Sequence, residues 1–253
     1  MDGNYHWGLP VAASTHARDI DFSLLLIHWV MVGIFVLWGI YMIWCLIAYR
    51  HREGHRATYP TESRKSSALS FLPDGLILAF EIWLLFIFGF PIWAKIREKL
   101  PDPRDALNIQ IVAQQFAWNI HYPGPDDVFG RTDPKLISEA NLMGLDPQDP
   151  SGKDDIVSLN TLVVPVGKPV RIRLTSQDVI HSFFVPEFRL KQDAVPGMSV
   201  NIWFEPNRVG QYEIGCAQLC GLGHYRMRGD VFVKTPEEYD QWLKQQAAEK
   251  AKG

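Results

Sequence analysis

Cysteine is scarce, with three in 253 residues, too few for a disulfide scaffold. A basic excess is also missing. Lys and Arg number 25 against 28 Asp and Glu, for a net charge of −3. Such a chain lacks the basic footprint that phosphate neutralisation needs, which excludes nucleic acid as a partner. At 47% hydrophobic it also lacks the apolar poverty of disordered sequences. No Cys-x-x-Cys-His occurs, so no c-type haem is expected on the chain. The stretch before the first apolar run carries neither positive charge in excess nor a cysteine, so neither a signal peptide nor a lipid anchor is expected.

The averages conceal two unlike parts. From Phe22 to Tyr49 there is no charged residue, and only Ser23, His28, Gly33 and Gly39 interrupt the apolar run. A helix of that length reaches roughly 40 Å, enough for a hydrocarbon core of about 30 Å. A second run, Phe71–Ala94, contains only Asp74 and Glu81 as charges. Between them lie Arg50, His51, Arg52, His55, Arg56, Arg64 and Lys65 against Glu53 and Glu62. By the positive-inside rule this loop is cytoplasmic. The expected order is an extracytoplasmic segment over residues 1–21, then a transmembrane hairpin over 22–100. Its spans cover about 22–49 and 71–96, and its cytoplasmic loop covers 50–70. Everything later falls outside the cell membrane.

Past Pro101 and Pro103 the texture changes to short β-type runs between turn residues: Asn108–His121, Ile156–Pro165, Pro169–Thr175, Ser182–Pro186, Ser199–Phe204, Gln211–Cys216 and Gly229–Val233. Seven such runs predict an all-β sandwich or barrel over 101–235, followed by a charged helical tail over 236–253.

The stretch Cys216-Ala-Gln-Leu-Cys220-Gly-Leu-Gly-His224-Tyr-Arg-Met227 carries the chemistry. Two thiols, an imidazole and a thioether fall in one loop, and soft sulfur with imidazole suits copper. Zinc knuckles want closer cysteine pairs. A single-copper electron-transfer site needs only one thiolate, so the second points to two metals bridged by two sulfurs. A further imidazole is then required, and His181 is available at the start of a strand. Taken singly, the cysteines could form a disulfide, and His181 or Met227 could simply pack.

The two-helix hairpin, the Gln115-Phe-Ala-Trp118 strand, the stretch Asp178-Val-Ile-His-Ser-Phe-Phe-Val-Pro-Glu187 and the C-x3-C-x3-H-x2-M loop together resemble subunit II of the haem–copper cytochrome c oxidases over nearly the whole chain. The resemblance implies a bacterial, multi-pass, inner-membrane subunit with a cupredoxin-like β domain on the periplasmic side. It implies a dinuclear copper A centre in which Cys216 and Cys220 bridge the coppers. His181 and His224 would each complete one copper, Met227 would ligate one, and the backbone carbonyl of Gln218 the other. Cytochrome c would donate electrons, and subunits I and III would be partners. The haems and copper B that reduce dioxygen to water, with proton translocation, would lie in subunit I. No catalytic residue is expected in this chain itself. A copper-less structural subunit of a quinol oxidase is the alternative.

Three departures from the family pattern carry expectations of their own. Gln218 stands where the family has Glu; an amide is a weaker ligand for a hard cation, which argues against the family's interface magnesium. Phe116 replaces the first residue of a Trp-x-Trp pair, leaving Phe116, Trp118 and Tyr225 as candidate aromatics for taking up the electron. Ser66 stands where a proton-channel Glu is usual, making Glu81 inside the second span a candidate substitute. Finally, the insert Pro123–Asp155 holds eight carboxylates against three basic residues. With Asp178 near the ligands, Asp126, Asp127, Asp154 and Asp155 are the expected docking charges for a basic donor.

Overall fold

The computed structural model describes residues 8–54 and 69–250. The expected loop charges His55, Arg56, Glu62, Arg64 and Lys65, and Ser66, lie outside the described residues. So do residues 1–7 and 251–253. Two compact units form, one from residues 19–94 and the other from the chain on either side of them.

Helix α1 spans Thr15–Ala48 and runs through the first unit from Asp19 onward. It begins seven residues before the expected Phe22, because the start is set by a cap rather than by the loss of charge. Ser14 Oγ accepts the Ala17 N–H at 3.2 Å, satisfying one of the first-turn donors that have no partner within the helix. The second apolar run is helical from Leu72 to Arg97, as α2 (Leu72–Leu84), a π-turn (Leu85–Gly89) and α3 (Phe90–Arg97). Pro91 accounts for the π-turn, since it has no N–H to give the Ile87 carbonyl four residues back. Both helices are long and apolar enough to cross a membrane, and their most apolar stretches bury nothing within the chain. Phe35, Leu37, Ile40, Trp44, Leu76 and Phe86 all point outward. A helix apolar on every side, with no protein covering it, is suited to lipid. Glu81 lies in α2 with its side chain exposed.

The second unit is a sandwich of two five-stranded sheets, ordered β3-β2-β1-β5-β8 and β4-β10-β9-β6-β7. The first sheet comprises β1 (Leu107–Gln114), β2 (Ala117–Tyr122), β3 (Ile156–Leu159), β5 (Val170–Ser176) and β8 (Val200–Phe204). The second comprises β4 (Thr161–Pro165), β6 (His181–Val185), β7 (Leu190–Ala194), β9 (Gly210–Cys216) and β10 (Arg228–Lys234). Among the described residues there are ten strands rather than seven. The run Asn108–His121 folds back at Gln115–Phe116 as the hairpin β1–β2. The run Ile156–Pro165 breaks at Asn160, whose φ is +57°. β7, Leu-Lys-Gln-Asp-Ala, lacks the β-branched residues that mark strands. It forms because it pairs with all five residues of β6.

Alternation places Ile109, Ile111 and Ala113 of β1, Ile172 and Leu174 of β5, and Tyr212 and Ile214 of β9 in one core with Trp118, Phe183 and Phe188. Residues 8–18 do not form a separate segment before the first span; they belong with the β unit. Ala13 is wholly buried in this core. Its N–H donates to the Glu187 carbonyl at 2.9 Å, and its carbonyl accepts from Asn207 at 3.1 Å. The backbone before α1 thus acts as an extra edge of the β unit.

Helix α4 (Pro236–Lys250) covers the end of β2, where Trp242 packs 5.1 Å from Tyr122. Beside it His121 and Asp155 form a fully buried pair, Nε2 to Oδ2 at 2.6 Å. Asp155 also accepts the Gly130 N–H at 2.9 Å. The sequence's expectation of Asp155 as a docking charge does not hold: it is 1% exposed, and its Oδ2 is taken up inside the fold by His121 and Gly130.

Candidate metal centre

One end of the sandwich gathers the ligand-type side chains. Residue parity along β9 turns Cys216, after Tyr212 and Ile214, toward the core side, and pairing sets it beside Phe183 of β6. β6 opens with His181, and the loop from Ala217 to Met227 returns the chain to β10. The Cys216 N–H donates to the Met227 carbonyl at 3.3 Å, and the Ala217 N–H to Ser182 at 2.9 Å, so both loop ends are pinned to strands.

Six donor atoms converge there. Cys216 Sγ and Cys220 Sγ stand 3.9 Å apart as two free thiols. His181 Nδ1 is 4.0 Å from Cys216 Sγ and 3.1 Å from Met227 Sδ. His224 Nδ1 is 3.6 Å from Cys220 Sγ, and Met227 Sδ is 3.7 Å from the same sulfur. The Gln218 carbonyl lies 3.1 Å from Cys216 Sγ. His181, Cys220 and Met227 are buried, whereas Cys216 and His224 are half-buried. A thiol pair flanked on both sides by imidazole nitrogens is a soft donor set suited to copper.

Charge and tautomer fit a metal as well. His181 Nε2 meets Asp178 Oδ1 at 2.8 Å; with the proton on Nε2, Nδ1 presents its lone pair to the sulfurs. Partial burial pushes the Asp178 carboxyl up, but hydrogen bonds from His181 and from the Gln115 and Val179 N–H groups outweigh it and hold it below the usual carboxylate range. Burial, then the neighbouring Cys216, pushes the Cys220 thiol up to about 11. The metal-free thiol is therefore protonated at neutral pH, and a metal held there would displace that proton.

Residues 107–233 match the family described as cytochrome c oxidase subunit II, periplasmic domain. The alternative cytochrome c oxidase subunit 2 of Bradyrhizobium diazoefficiens is 37% identical over 241 residues, covering 95% of this chain and 84% of that one. The chain belongs to the cytochrome c oxidase subunit II family. It is similar also to the cytochrome c oxidase subunit 2 of Cereibacter sphaeroides, at 28% identity over 248 residues, 93% of this chain and 77% of the relative. Among solved structures, the periplasmic domain of subunit II of the Bradyrhizobium japonicum cytochrome oxidase aligns with 60% of this chain and 99% of its own. There the TM-score is 0.44 and the identity 28%. As a subunit II, the chain is a component of an oxidoreductase complex and a membrane protein with a periplasmic domain.

Around the centre of this subunit II the candidate aromatics differ sharply. Trp118 has no exposed surface. It packs edge-on between His181 and Phe183, with centroids at 6.2 and 5.4 Å, so it cannot meet a donor directly. Tyr225 is 85% exposed, flanked in the loop by Leu219 at 80% and Leu222 at 97%. Phe116 is half-buried against the copper-type loop, where a Cβ on Gly223 would stand 2.4 Å from its ring. Gly223→Ala is accordingly expected to destabilise the β domain by roughly 1–3 kcal/mol through overpacking. Phe116→Ala in the same chain should relieve it, as thermal unfolding of the pair would read out.

The acidic positions scatter. Asp126 and Asp127 are exposed and Asp154 is half-buried. All three follow or adjoin the far end of β2, whose six residues put roughly 17 Å between them and the loop. Asp178 is at the centre, but as the partner of His181. Sequence reading missed that role, although an acid three residues before a ligand histidine is the available signal. It also missed Gln115, which no residue-type pattern distinguishes.

Proposed function

We propose that this subunit II accepts electrons from cytochrome c at a dinuclear copper A centre and passes them to the haem of subunit I. There dioxygen is reduced to water with proton translocation. The convergence of two thiols 3.9 Å apart with His181, His224, Met227 and the Gln218 carbonyl carries this reading. A copper-less quinol-oxidase subunit would have no need of all six. Cys216 and Cys220 would bridge the metals, His181 and His224 would each complete one, Met227 would ligate one and the Gln218 carbonyl the other. When bound, the copper pair supplies one-electron transfer with its charge shared across the thiolates.

The chain's own part is to hold the donors still. Strand ends fix Cys216 and His181, Asp178 orients the His181 ring, and burial of Cys220 and Met227 excludes water. Tyr225 and Phe116, which lies against Gly221 and Gly223 of the same loop, are the aromatic route for the incoming electron, and Leu219 and Leu222 form an apolar rim for the donor. Asp126, Asp127 and Asp154 act through long-range steering rather than contact. Asp126→Asn with Asp127→Asn should slow association of cytochrome c a few-fold at low salt and leave it unchanged at high salt, where the charges are screened. Stopped-flow reduction across ionic strengths measures this.

In this reading the helices lie in the bacterial inner membrane with subunits I and III, and the loop before α2 faces the cytoplasm. Glu81 would serve the proton path, and full turnover with normal pumping in Glu81→Gln would remove it from that role. Gln218 offers an amide in place of a carboxylate, so no interface magnesium is assigned. Elemental analysis of the purified oxidase tests the reading: copper in excess of subunit I's own by two per complex supports it, and no excess contradicts it.

A further inference from the structure

We infer that Gln115 is a positioning residue that locks the two arms of the copper-binding pole to each other; the inference rests on the copper A reading above. The donors come from different parts of the chain. His181 belongs to β6 and the loop before it, whereas Cys220 belongs to the loop after β9. Apart from a bound metal, something must hold these arms in register.

The two-residue turn between β1 and β2 reaches both, and it does so from the opposite sheet. The Gln115 backbone N–H donates to Asp178 Oδ2 at 2.7 Å, while Asp178 Oδ1 holds His181 Nε2 at 2.8 Å. The Gln115 side chain then donates from Nε2 to the Cys220 carbonyl at 2.6 Å. One residue thus grips the orienting carboxylate of one ligand and the backbone of another. The first bond is charge-assisted and so among the stronger kind. The second fixes the peptide between Cys220 and Gly221, where φ is +136° and a Cβ would stand 2.7 Å from Gln115 Nε2. That close approach explains why glycine follows the ligand. Phe116 completes the clamp by lying against Gly221 and Gly223.

Two consequences follow from physical chemistry. Outer contacts that orient metal ligands commonly change metal affinity 10–100-fold when removed. An N–H donor aimed at the residue carrying a thiolate also favours the reduced, more negative state, so its loss lowers the reduction potential.

The test uses the full chain in the assembled oxidase, with three side chains at position 115. Gln115→Met keeps the length but has no donor, Gln115→Glu keeps the shape but replaces the donor by an acceptor, and Gln115→Lys keeps a donor. Three quantities are read: the copper hyperfine pattern in electron paramagnetic resonance, the reduction potential of the centre, and the rate of copper loss to a chelator. Gln115→Met and Gln115→Glu should lose copper roughly tenfold or more faster, with a lowered potential and an altered hyperfine pattern. Gln115→Lys should hold copper nearly as long as the wild type, with its potential raised rather than lowered by the added positive charge. If Gln115→Met matches the wild type throughout, or Gln115→Lys loses copper as fast as Gln115→Glu, the positioning role is overturned. A wild-type oxidase without a dinuclear copper spectrum would instead overturn the copper A reading itself, and this inference with it.

Discussion

Cys220→Ser is expected to abolish the dinuclear copper signal and bring cytochrome c oxidation to background, while the β sandwich still folds. Cys220 Sγ is the hub of the donor set. It stands 3.9 Å from Cys216 Sγ, 3.6 Å from His224 Nδ1 and 3.7 Å from Met227 Sδ. A serine oxygen is a hard donor that does not suit copper as a thiolate does, and its alcohol does not ionise near neutral pH. Replacing it leaves His224 and Met227 without their common neighbour. The fold should survive because Cys220 lies in a loop whose ends are fixed by Cys216, Met227 and Ser182 backbone bonds. Circular dichroism would report the retained sandwich, and copper content with oxygen uptake would report the lost centre. Retained copper signal and activity in Cys220→Ser would refute the assignment of this sulfur.

Asp155→Ala is expected to destabilise the β domain by roughly 1–3 kcal/mol for each buried donor it leaves without an acceptor. His121 and Asp155 are both without side-chain exposure, and Asp155 also receives the Gly130 N–H. Removing the carboxylate leaves that N–H and the His121 Nε2 buried with nothing to accept them. Unfolding by denaturant measures the loss, and the same variant should leave cytochrome c association unchanged. A slower association with unaltered stability would return Asp155 to the docking surface.

The pair also sets a pH dependence. Burial lowers the His121 pKa from its usual value near 6.5 although the Asp155 hydrogen bond opposes the shift. The unfolded chain then binds the proton more readily than the folded one. The contribution of His121 to stability is therefore complete above about pH 6.5 and declines as the pH falls below it. Without Asp155 the opposing influence is gone, so the decline in Asp155→Ala should be steeper.

How much of this was legible in the sequence follows from which interactions are local. The two apolar runs were readable because lipid selects on composition alone. The copper-type loop was readable because five of the six donor-bearing residues sit within twelve positions, four apart or fewer in order. The start of α1 was not, because a single Ser14 cap decides it. β7 was hidden for a related reason: its strand character comes from pairing with β6, not from its own residues. The hairpin turn at Gln115–Phe116 lay inside one continuous β-type run. The sequence's largest misreading was to count carboxylates as surface. Charge count assigns Asp155 and Asp178 to a docking face, yet one is buried with His121 and the other holds His181. Pairings across 34 and 3 residues look alike to a count of charge.

Electron paramagnetic resonance of the purified, oxidised complex tests the central claim most directly. The donor set of His181, Cys216, Gln218, Cys220, His224 and Met227 predicts the hyperfine pattern of one unpaired electron shared by two copper nuclei, lost in Cys220→Ser. A pattern from single copper nuclei alone, or no copper signal attributable to this subunit, would contradict it.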